Sequence, residues 1–366
     1  MLEDGRISSR QATFLMSTMI IATVVLFVPS ITAKYARQDA WLSIIAAILA
    51  GLLIARLATT LGLRYPDKSI FEYPEDILGK WPGKLVGLLY VCWFLHLNAE
   101  VIREYGSFMV TAFMPETPII VFILVVVSIA AYATINGLEV FSRANEIFLP
   151  LIVGSVIILF ILALGQMNFH MLLPMFDAEP EDVLKGAIAP EGWFGEVAVI
   201  TVLIPYLNKP REAHRVGALA VLTCGGLLLL DAVGIIALFG PNLVEAWLIT
   251  TLNGARMIIV ASFIERLEAV IMIIWVTGGL IKITVFYWAA ALGSAQLLKL
   301  KDYRPLVVPI GTVLVSLSTL LHPNISDLLQ FLTSVWPPYA IIVFEAGLPL
   351  LLLTVSLARG IRGARV

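Results

Sequence analysis

The sequence predicts an all-α integral membrane protein in which ten transmembrane helices form two inverted halves of five. Three observations lead to this fold class. First, 60% of the 366 residues are hydrophobic and only 14% are charged, whereas soluble domains contain about a quarter charged residues. Second, the apolar residues fall into ten runs, each long enough to cross a bilayer. Third, irregular features recur at corresponding positions in the two halves of the chain.

The predicted helices are numbered 1 to 10 in chain order. A membrane helix needs about 20 mostly apolar residues. The runs that meet this requirement span 11–34, 40–63, 84–113, 117–136, 141–166, 184–207, 213–239, 266–297, 304–321 and 335–358. Because the longest connectors have only about twenty residues, the sequence predicts one polytopic membrane domain over 1–366 and no soluble domain.

The distribution of basic residues predicts the orientation of the helices. Of the 24 Lys and Arg residues, Arg103 and Lys282 lie within helices, seventeen lie at one end of the helices and five at the other. Basic residues accumulate on the cytoplasmic side of membrane proteins. We therefore expect both the N-terminus and the C-terminus to be cytoplasmic, and the acidic connector 168–183 to be outside.

Element lengths predict the internal repeat. The connector between helices 2 and 3 is long and amphipathic on the inner side, and the connector between helices 7 and 8 is similar but lies outside. Helices 1 and 6 both contain residues that interrupt a helix, and helices 3 and 8 are both unusually long. These features predict inverted repeats over 11–166 and 184–358, an architecture in which the substrate binds near the midplane between two broken helices.

Helix 6 carries the clearest interruption, because Pro190, Gly192 and Gly195 lie inside an otherwise apolar run. In a bilayer a break is tolerated only where protein or a wet cavity surrounds it. The N-terminus of the inner half-helix would favour a negative group such as a substrate carboxylate. Alternatively, Glu196 pairs with an amine or with a cation of the protein. The predicted ligand-binding residues here are Gly192, Trp193, Phe194, Gly195 and Glu196.

Helix 1 is the predicted counterpart of helix 6, because Pro29 should kink it. Two interpretations are open. In one, Pro29 makes a simple kink and Thr23 bonds to its own helix. In the other, the segment is partly unwound and forms half of the ligand site. The predicted ligand-binding residues are Ala22, Thr23, Val24, Val25 and Phe27.

Helix 3 contains a polar group inside an apolar run: His96, Asn98, Glu100, Arg103, Glu104 and Tyr105. Ionisable groups at membrane depth usually face a cavity or each other. The spacing places His96, Glu100 and Arg103 on one face. Either Arg103 and the carboxylates form a structural ion pair, or the group contacts a ligand or a proton. Asn98, Glu100 and Tyr105 are the predicted ligand-binding residues.

Helix 8 places Lys282 near its centre, too far from either end to reach the interface easily. We expect it to pair with a carboxylate such as Asp231 in helix 7, Glu345 in helix 10 or Glu100, or to be neutral. Such a lysine either has a structural role or carries a proton. Thr277 on the same helix is a predicted lining residue of the pocket.

Other residue types indicate little further chemistry. Cys92 and Cys224 lie in apolar segments and are predicted to be buried hydrophobes. Trp81 and Trp336 lie near predicted interfaces and are expected to anchor the chain there. The sequence lacks a phosphate-binding loop, a GxSxG nucleophile elbow and an HExxH zinc motif. We therefore predict no cofactor, no metal, no enzymatic activity and no nucleic-acid partner.

Several motifs together resemble those of the endospore germination permeases, the B subunits of spore nutrient germinant receptors. These motifs are Gln38–Trp41, Phe71–Tyr73 with Leu78–Trp81, Val101–Glu104 with Pro115–Pro118, and Asn136–Val140 with Ser142–Glu146. The resemblance covers essentially the whole chain. It implies the LeuT-like fold of the amino acid–polyamine–organocation (APC) superfamily, a location in the spore inner membrane, and partnership with an A membrane subunit and a C lipoprotein.

The chain departs from APC transporters at two places. Where those transporters typically have G-[SA]-G in helix 1, this chain has Ala22, Thr23 and Val24. In helix 6 the transporter-like F-x-G-x-E remains only as Phe194, Gly195 and Glu196. The bulkier residues of helix 1 imply a small ligand or only slight unwinding.

Three functions are consistent with the sequence. The resemblance favours a receptor subunit that binds a small nutrient, most often an amino acid, in a midplane pocket and signals to partner subunits. The second is a secondary transporter that moves an amino acid with a proton through Lys282 and the carboxylates. The third is a scaffold with a vestigial pocket. Sustained flux of substrate would identify the transporter. Absence of saturable ligand binding would identify the scaffold.

Overall fold

The computed structural model describes residues 2–3, 5–247, 249–257 and 268–361. Within these ranges the chain is all-helical, and one isolated bridge joins Ile7 to Leu207. Eight helical segments are long and apolar enough to cross a membrane, and the first of them contains two helices. The helices are α1 Ser9–Ala36, α2 Ala40–Leu63, α3 Lys80–Ala112, α4 Ile119–Asn136, α5 Leu138–Ala163, α6 Pro180–Tyr206, α7 Ala213–Ala246, α8 Glu268–Leu298, α9 Val307–Leu320 and α10 Ile325–Ala358.

The first helix is not interrupted. α1 stays α-helical through Pro29, although proline lacks the N–H that would donate to the carbonyl of Val25 four residues earlier. The hydroxyl of Thr251 lies 2.7 Å from that carbonyl oxygen and replaces the missing donor. The prediction of an interrupted helix 1 was therefore wrong, because a residue far away in sequence satisfies the freed carbonyl.

α6 is interrupted more mildly than predicted. It is α-helical from Pro180 to Gly195 and tightens into a 3₁₀ helix over Glu196–Val199. Glu196 keeps helical backbone angles, φ −55° and ψ −15°. The interruption is thus a change of hydrogen-bonding register, and α6 has no free half-helix N-terminus at Gly195 of the kind that the sequence suggested.

α10 departs most from the prediction. It begins at Ile325 rather than at 335, because Asn324 caps it by accepting from the backbone N–H of Asp327. It then contains two π-helical stretches, Phe331–Val335 and Ala340–Glu345. The wider turns of a π-helix commonly occur at functional sites.

The connector after α7 is partly helical. Gly240, with φ +72°, bends α7 sharply before its last residues. A further helix then runs from Thr250 to Met257. The sequence predicted a loop from 240 to 265. Residues 248 and 258–265 of that loop, and the predicted start of helix 8 at 266, lie outside the described residues.

Side-chain contacts join the chain start to the connectors at one end of the bundle. The carboxylate of Glu3 accepts hydrogen bonds from Tyr303 Oη at 2.8 Å, Trp288 Nε1 at 3.2 Å and the backbone N–H of Leu138 at 3.2 Å. Burial raises the pKa of the Tyr303 hydroxyl, which keeps it a donor to Glu3. Near the other terminus, Arg64 at the end of α2 donates to the carbonyl of Ile361. Glu3 and Ile361 therefore lie at the same end of the bundle.

The remaining connectors meet at the opposite end. Asp39, between α1 and α2, accepts hydrogen bonds from the backbone N–H groups of Phe176, Asp177 and Ala178, which precede α6. Arg256 of the Thr250–Met257 helix donates to the carbonyl of Ala112, at the end of α3. The connectors thus alternate between two ends of the helical bundle.

Candidate functional site

The centre of the molecule holds a buried ion pair. Nζ of Lys282 lies 2.8 Å from Oε2 of Glu196, and neither side chain is exposed. The same Nζ donates to Oγ1 of Thr23 at 2.9 Å. This cluster ties α1, α6 and α8 together at the residues where α6 changes register. We call Thr23, Glu196 and Lys282 the central cluster.

The partner of Lys282 is none of the three carboxylates named from the sequence. Asp231 is held by Thr251, Glu100 lies between two histidines, and Glu345 packs against α6. Glu196 takes the place that they were expected to occupy. Glu196 therefore pairs with a cation of the protein, which is one of the alternatives that the sequence left open.

Glu345 lies directly against the register change in α6. A Cβ at Gly195 would lie 2.0 Å from Oε2 of Glu345, so only glycine allows this approach. Both carboxylate oxygens of Glu345 lack a hydrogen-bond partner among the described residues, as does Oε1 of Glu196. Glu104 of α3 is also buried and interacts electrostatically with Lys282. Lys282 therefore contacts one carboxylate, that of Glu196, and two further buried carboxylates, those of Glu104 and Glu345, interact with it electrostatically.

A vestibule lies at the end of the bundle where α1 ends. Its volume is about 500 Å³, which is in the range of ordinary ligand pockets. α1, α6, α7 and α10 line it, and its walls carry Lys34, Lys185 and Glu245 beside apolar residues. Phe27 also lines it. Because Phe27 and Thr23 are four residues apart on one helix, they share a face, one turn apart.

Aromatic side chains pack near the vestibule and the cluster. Trp193 of α6 packs on Trp336 of α10 with ring centroids 5.2 Å apart, and Phe27 meets the edge of Trp275 at 6.4 Å. Tyr105 stacks on the same Trp275. Trp336 is completely buried, so its predicted role at the membrane interface was wrong. Its bulk is accommodated because α6 offers Gly192 beside it.

A second polar chain links α3 to α10. Oε1 of Glu100 lies 3.3 Å from Nε2 of His96, and Oε2 lies 2.8 Å from Nε2 of His322. Tyr339 Oη lies 2.8 Å from Nδ1 of His96. The predicted shared face of His96 and Glu100 is confirmed, but Arg103 donates instead to the carbonyl of Pro323 at 3.3 Å. The expected pair of Glu100 and Arg103 is replaced by histidines because the α9–α10 connector folds over α3.

The remaining predicted residues have different surroundings. Ala22 packs against Gly278, and Val24 is buried in the core. Phe194 fits against Gly51 of α2. Asn98 is fully buried, and neither polar atom of its amide has a partner among the described residues. Thr277 is half-buried and donates at 2.7 Å to the carbonyl of its own helix at Ile273, so its hydroxyl is already engaged.

Sequence reasoning missed His322, Thr251 and Tyr339 as polar partners. His322 is one of only four histidines in the chain, and its place in a short connector next to Pro323 was a usable signal. Thr251 had no distinguishing signal, because its role depends on a proline more than two hundred residues earlier. Tyr339 follows Pro337 and Pro338, which mark the irregular region of α10.

The fold and the buried polar cluster define a multi-pass helical membrane protein of the permease type. Its fold is similar to that of a crystal structure of MhsT in complex with L-phenylalanine, with a TM-score of 0.66, 13% identity, and coverage of 97% of this chain and 99% of that one. This likeness shows that the chain has the LeuT fold, as the sequence predicted.

A family model described as spore germination protein matches residues 6–326, and the chain belongs to this spore germination permease family. It is 27% identical to spore germination protein KB of Bacillus subtilis (strain 168), over 97% of this chain and 95% of that protein. It is 26% identical to spore germination protein YndE of the same organism, over 96% of both. The family that the sequence motifs resemble is thus confirmed.

Proposed function

We propose that this chain is the permease-like membrane subunit of a spore germinant receptor, which binds a small nutrient and signals to partner subunits. The observation that carries the proposal is a fully buried cluster of Lys282, Glu196 and Thr23, one helical turn along α1 from a vestibule of about 500 Å³. Desolvation of two charges offsets much of their attraction, so a buried ion pair is weak evidence for a purely stabilising role. Membership in the spore germination family connects the site to germination.

The charges around the cluster favour an amino acid as the nutrient. Glu196, Glu345 and Glu104 outnumber the single cation Lys282, and several of their oxygens have no partner among the described residues. An α-ammonium group is complementary to these carboxylates, and an α-carboxylate is complementary to Lys282. Asn98, whose amide is unpaired, is a further polar group for the ligand. An amino acid is therefore the small nutrient that best matches both signs of charge.

The closed packing of the described conformation supports a proposal for what moves when a ligand enters. Trp193 and Trp336 pack beside Gly192, and the central cluster itself is closed. The 3₁₀ stretch of α6 and the π stretches of α10 are the backbone segments that can change register at low cost. We propose that the nutrient favours a second packing of α6 against α10. It does so only through a higher affinity for that state.

We further propose that the chain crosses the membrane ten times as two inverted repeats, 11–166 and 184–358, with both termini cytoplasmic. The alternation of connectors between two ends, and the contacts of Glu3 and Arg64 at one of them, support this topology. The excess of Lys and Arg at that end supports its cytoplasmic assignment. The membrane is the spore inner membrane, and the partners are an A membrane subunit and a C lipoprotein, as the family resemblance implies.

The proposal is tested by thermal unfolding of the purified protein in detergent across a panel of amino acids, sugars and nucleosides. A ligand at about 100 times its Kd raises the stability by about 2.7 kcal/mol. We expect stabilisation by an amino acid, its loss in Glu196→Gln, and its retention in Glu116→Gln, which alters an exposed carboxylate of the α3–α4 connector. Unchanged affinity in Glu196→Gln would reject this site.

The second candidate function is proton-coupled amino acid transport. The observation that favours it is the proximity of Glu345, Glu196 and Lys282, because such a group can pass a proton between alternative partners. Reconstituted liposomes separate the two functions. A transporter concentrates a labelled amino acid under a proton gradient, whereas a sensor binds it without sustained flux.

A further inference from the structure

A second polar site lies in the outer half of the molecule, apart from the central cluster. A cavity of about 50 Å³ is enclosed by α1, α5, α7, α8 and the Thr250–Met257 helix. Its walls are apolar except for Asp231 of α7, Thr251 and the indole of Trp275, whose Nε1 has no hydrogen-bond partner among the described residues. Oγ1 of Thr251 lies 2.7 Å from the carbonyl oxygen of Val25 and 2.9 Å from Oδ2 of Asp231.

If Asp231 is ionised, two oxygen acceptors at this site depend on a single hydrogen-bond donor. The carbonyl of Val25 needs a donor, because Pro29 has no N–H to give it. An ionised carboxylate also needs a donor. Thr251 has one hydroxyl hydrogen and cannot donate to both oxygens. Both short contacts are satisfied together only when Asp231 carries a proton, donates it to Oγ1, and Oγ1 donates its own hydrogen to Val25.

We propose that Asp231 is a proton-binding site that fastens the Thr250–Met257 helix to α1. With the proton bound, the chain of hydrogen bonds from Asp231 through Thr251 to Val25 is complete. When the proton leaves to solvent, the hydroxyl of Thr251 turns to the carboxylate and the carbonyl of Val25 loses its donor. An unpaired buried carbonyl is costly. Loss of the proton therefore favours a state in which the helix lifts away from α1.

Asp231 is the titrating group of this cavity among the described residues. Among the described residues that line the cavity, from α1, α5, α7, α8 and the Thr250–Met257 helix, no other side chain is ionisable. Arg256 of that helix is exposed and donates to Ala112. Glu245, near the end of α7, faces the vestibule instead. The spacings of 2.7 and 2.9 Å between the oxygens are those of hydrogen bonds, which indicates a proton rather than a metal ion as the ligand.

The test measures how often the buried side of the Thr250–Met257 helix opens. Cys92 is exposed, so the prediction that it is buried was wrong, whereas Cys224 is buried as predicted. In a Cys92→Ser background, which removes the exposed thiol, a maleimide labels either Ala255→Cys or Met257→Cys. Ala255 is 4% exposed and lines the cavity, whereas Met257 is 53% exposed. The ratio of the two labelling rates cancels the intrinsic pH dependence of a thiol. We expect this ratio to rise on the order of tenfold between about pH 5 and about pH 9.

Four variants decide between the proton site and a structural role. Asp231→Asn, whose amide donates at every pH, should hold the ratio at its low-pH value. Thr251→Val should raise it at every pH, and Thr251→Ser should restore the parent behaviour. Thr250→Val is the matched control, because its buried hydroxyl has no partner among the described residues. A ratio that is flat with pH in the parent, or an undiminished pH dependence in Asp231→Asn, would overturn the proposal. Because no nutrient is added, this outcome is independent of the nutrient site.

Discussion

α1 and α6 both carry a proline that is buried within the membrane, yet their backbones differ. α1 stays α-helical on both sides of Pro29. α6 stays α-helical through Pro190 and changes to 3₁₀ geometry only after Gly195. The position of a proline therefore does not locate the irregular backbone. The irregular backbone is instead determined by the side chains that other segments pack against each helix.

Different neighbours act on the two helices. In α1, hydroxyls donate to the carbonyls around the proline: Thr251 to Val25 at 2.7 Å and Ser30 to Phe27 at 2.8 Å. In α6, a carboxylate from α10 lies so close to Gly195 that no side chain fits there. Hydroxyl donors preserve the regular helix in α1, whereas the register change in α6 coincides with buried charges.

The largest expected effect comes from removing the cation at the α6 register change. Lys282→Met should lower the free energy of unfolding by about 3–5 kcal/mol, because Glu196 is left buried without its partner. Unfolding in mixed detergent micelles measures this change. A Lys282→Met, Glu196→Leu double variant should recover much of the loss, since both charges are then absent.

The control for this prediction is Lys185→Met, which breaks an exposed pair with Glu181 on the same helix. Exposed pairs contribute little, so its stability should be close to that of the parent. Equal losses in Lys282→Met and Lys185→Met would show that the central ion pair does not stabilise α6.

The second-largest expected effect tests the close approach of Glu345 to Gly195 in α6. Gly195→Ala should cost about 1–3 kcal/mol, because its methyl group would meet the carboxylate of Glu345. Gly226→Ala in α7 meets nothing within 4 Å and should be neutral or stabilise by up to about 1 kcal/mol. Thermal unfolding compares the two. If Glu345→Ala does not relieve the cost of Gly195→Ala, the contact is not its cause.

A smaller effect tests the replacement donor in α1. Thr251→Val should cost about 1–2 kcal/mol, because the carbonyl of Val25 loses its donor. In a Pro29→Ala background, the new backbone N–H supplies that donor and the same substitution should cost about 1 kcal/mol less. A double-mutant cycle measures this coupling. Additive effects of Pro29→Ala and Thr251→Val would contradict the explanation of the uninterrupted helix.

The smallest effect concerns Thr277, whose hydroxyl donates to its own helix. Thr277→Ala should change the free energy of unfolding by no more than about 0.5 kcal/mol and leave nutrient affinity unchanged. Ligand titrations followed by thermal unfolding check both quantities. A marked loss of affinity would return Thr277 to the pocket that the sequence predicted.

The sequence by itself determined the features that depend on local composition. Apolar runs of membrane length placed the helices, and the motifs around Gln38, Arg103 and Asn136 identified the family. Burial of Lys282 also followed locally, because a lysine at the centre of a long apolar helix has no route to water.

Only the tertiary structure decided which polar groups meet. Glu196 rather than Asp231 pairs with Lys282, His322 rather than Arg103 pairs with Glu100, and Thr251 keeps α1 helical. Each of these contacts joins residues from different helices or connectors. Helical periodicity fixes which face a residue occupies along its own helix, but not the rotation and height of the neighbouring helix. Packing in three dimensions sets those two quantities, and with them the partners of every buried charge.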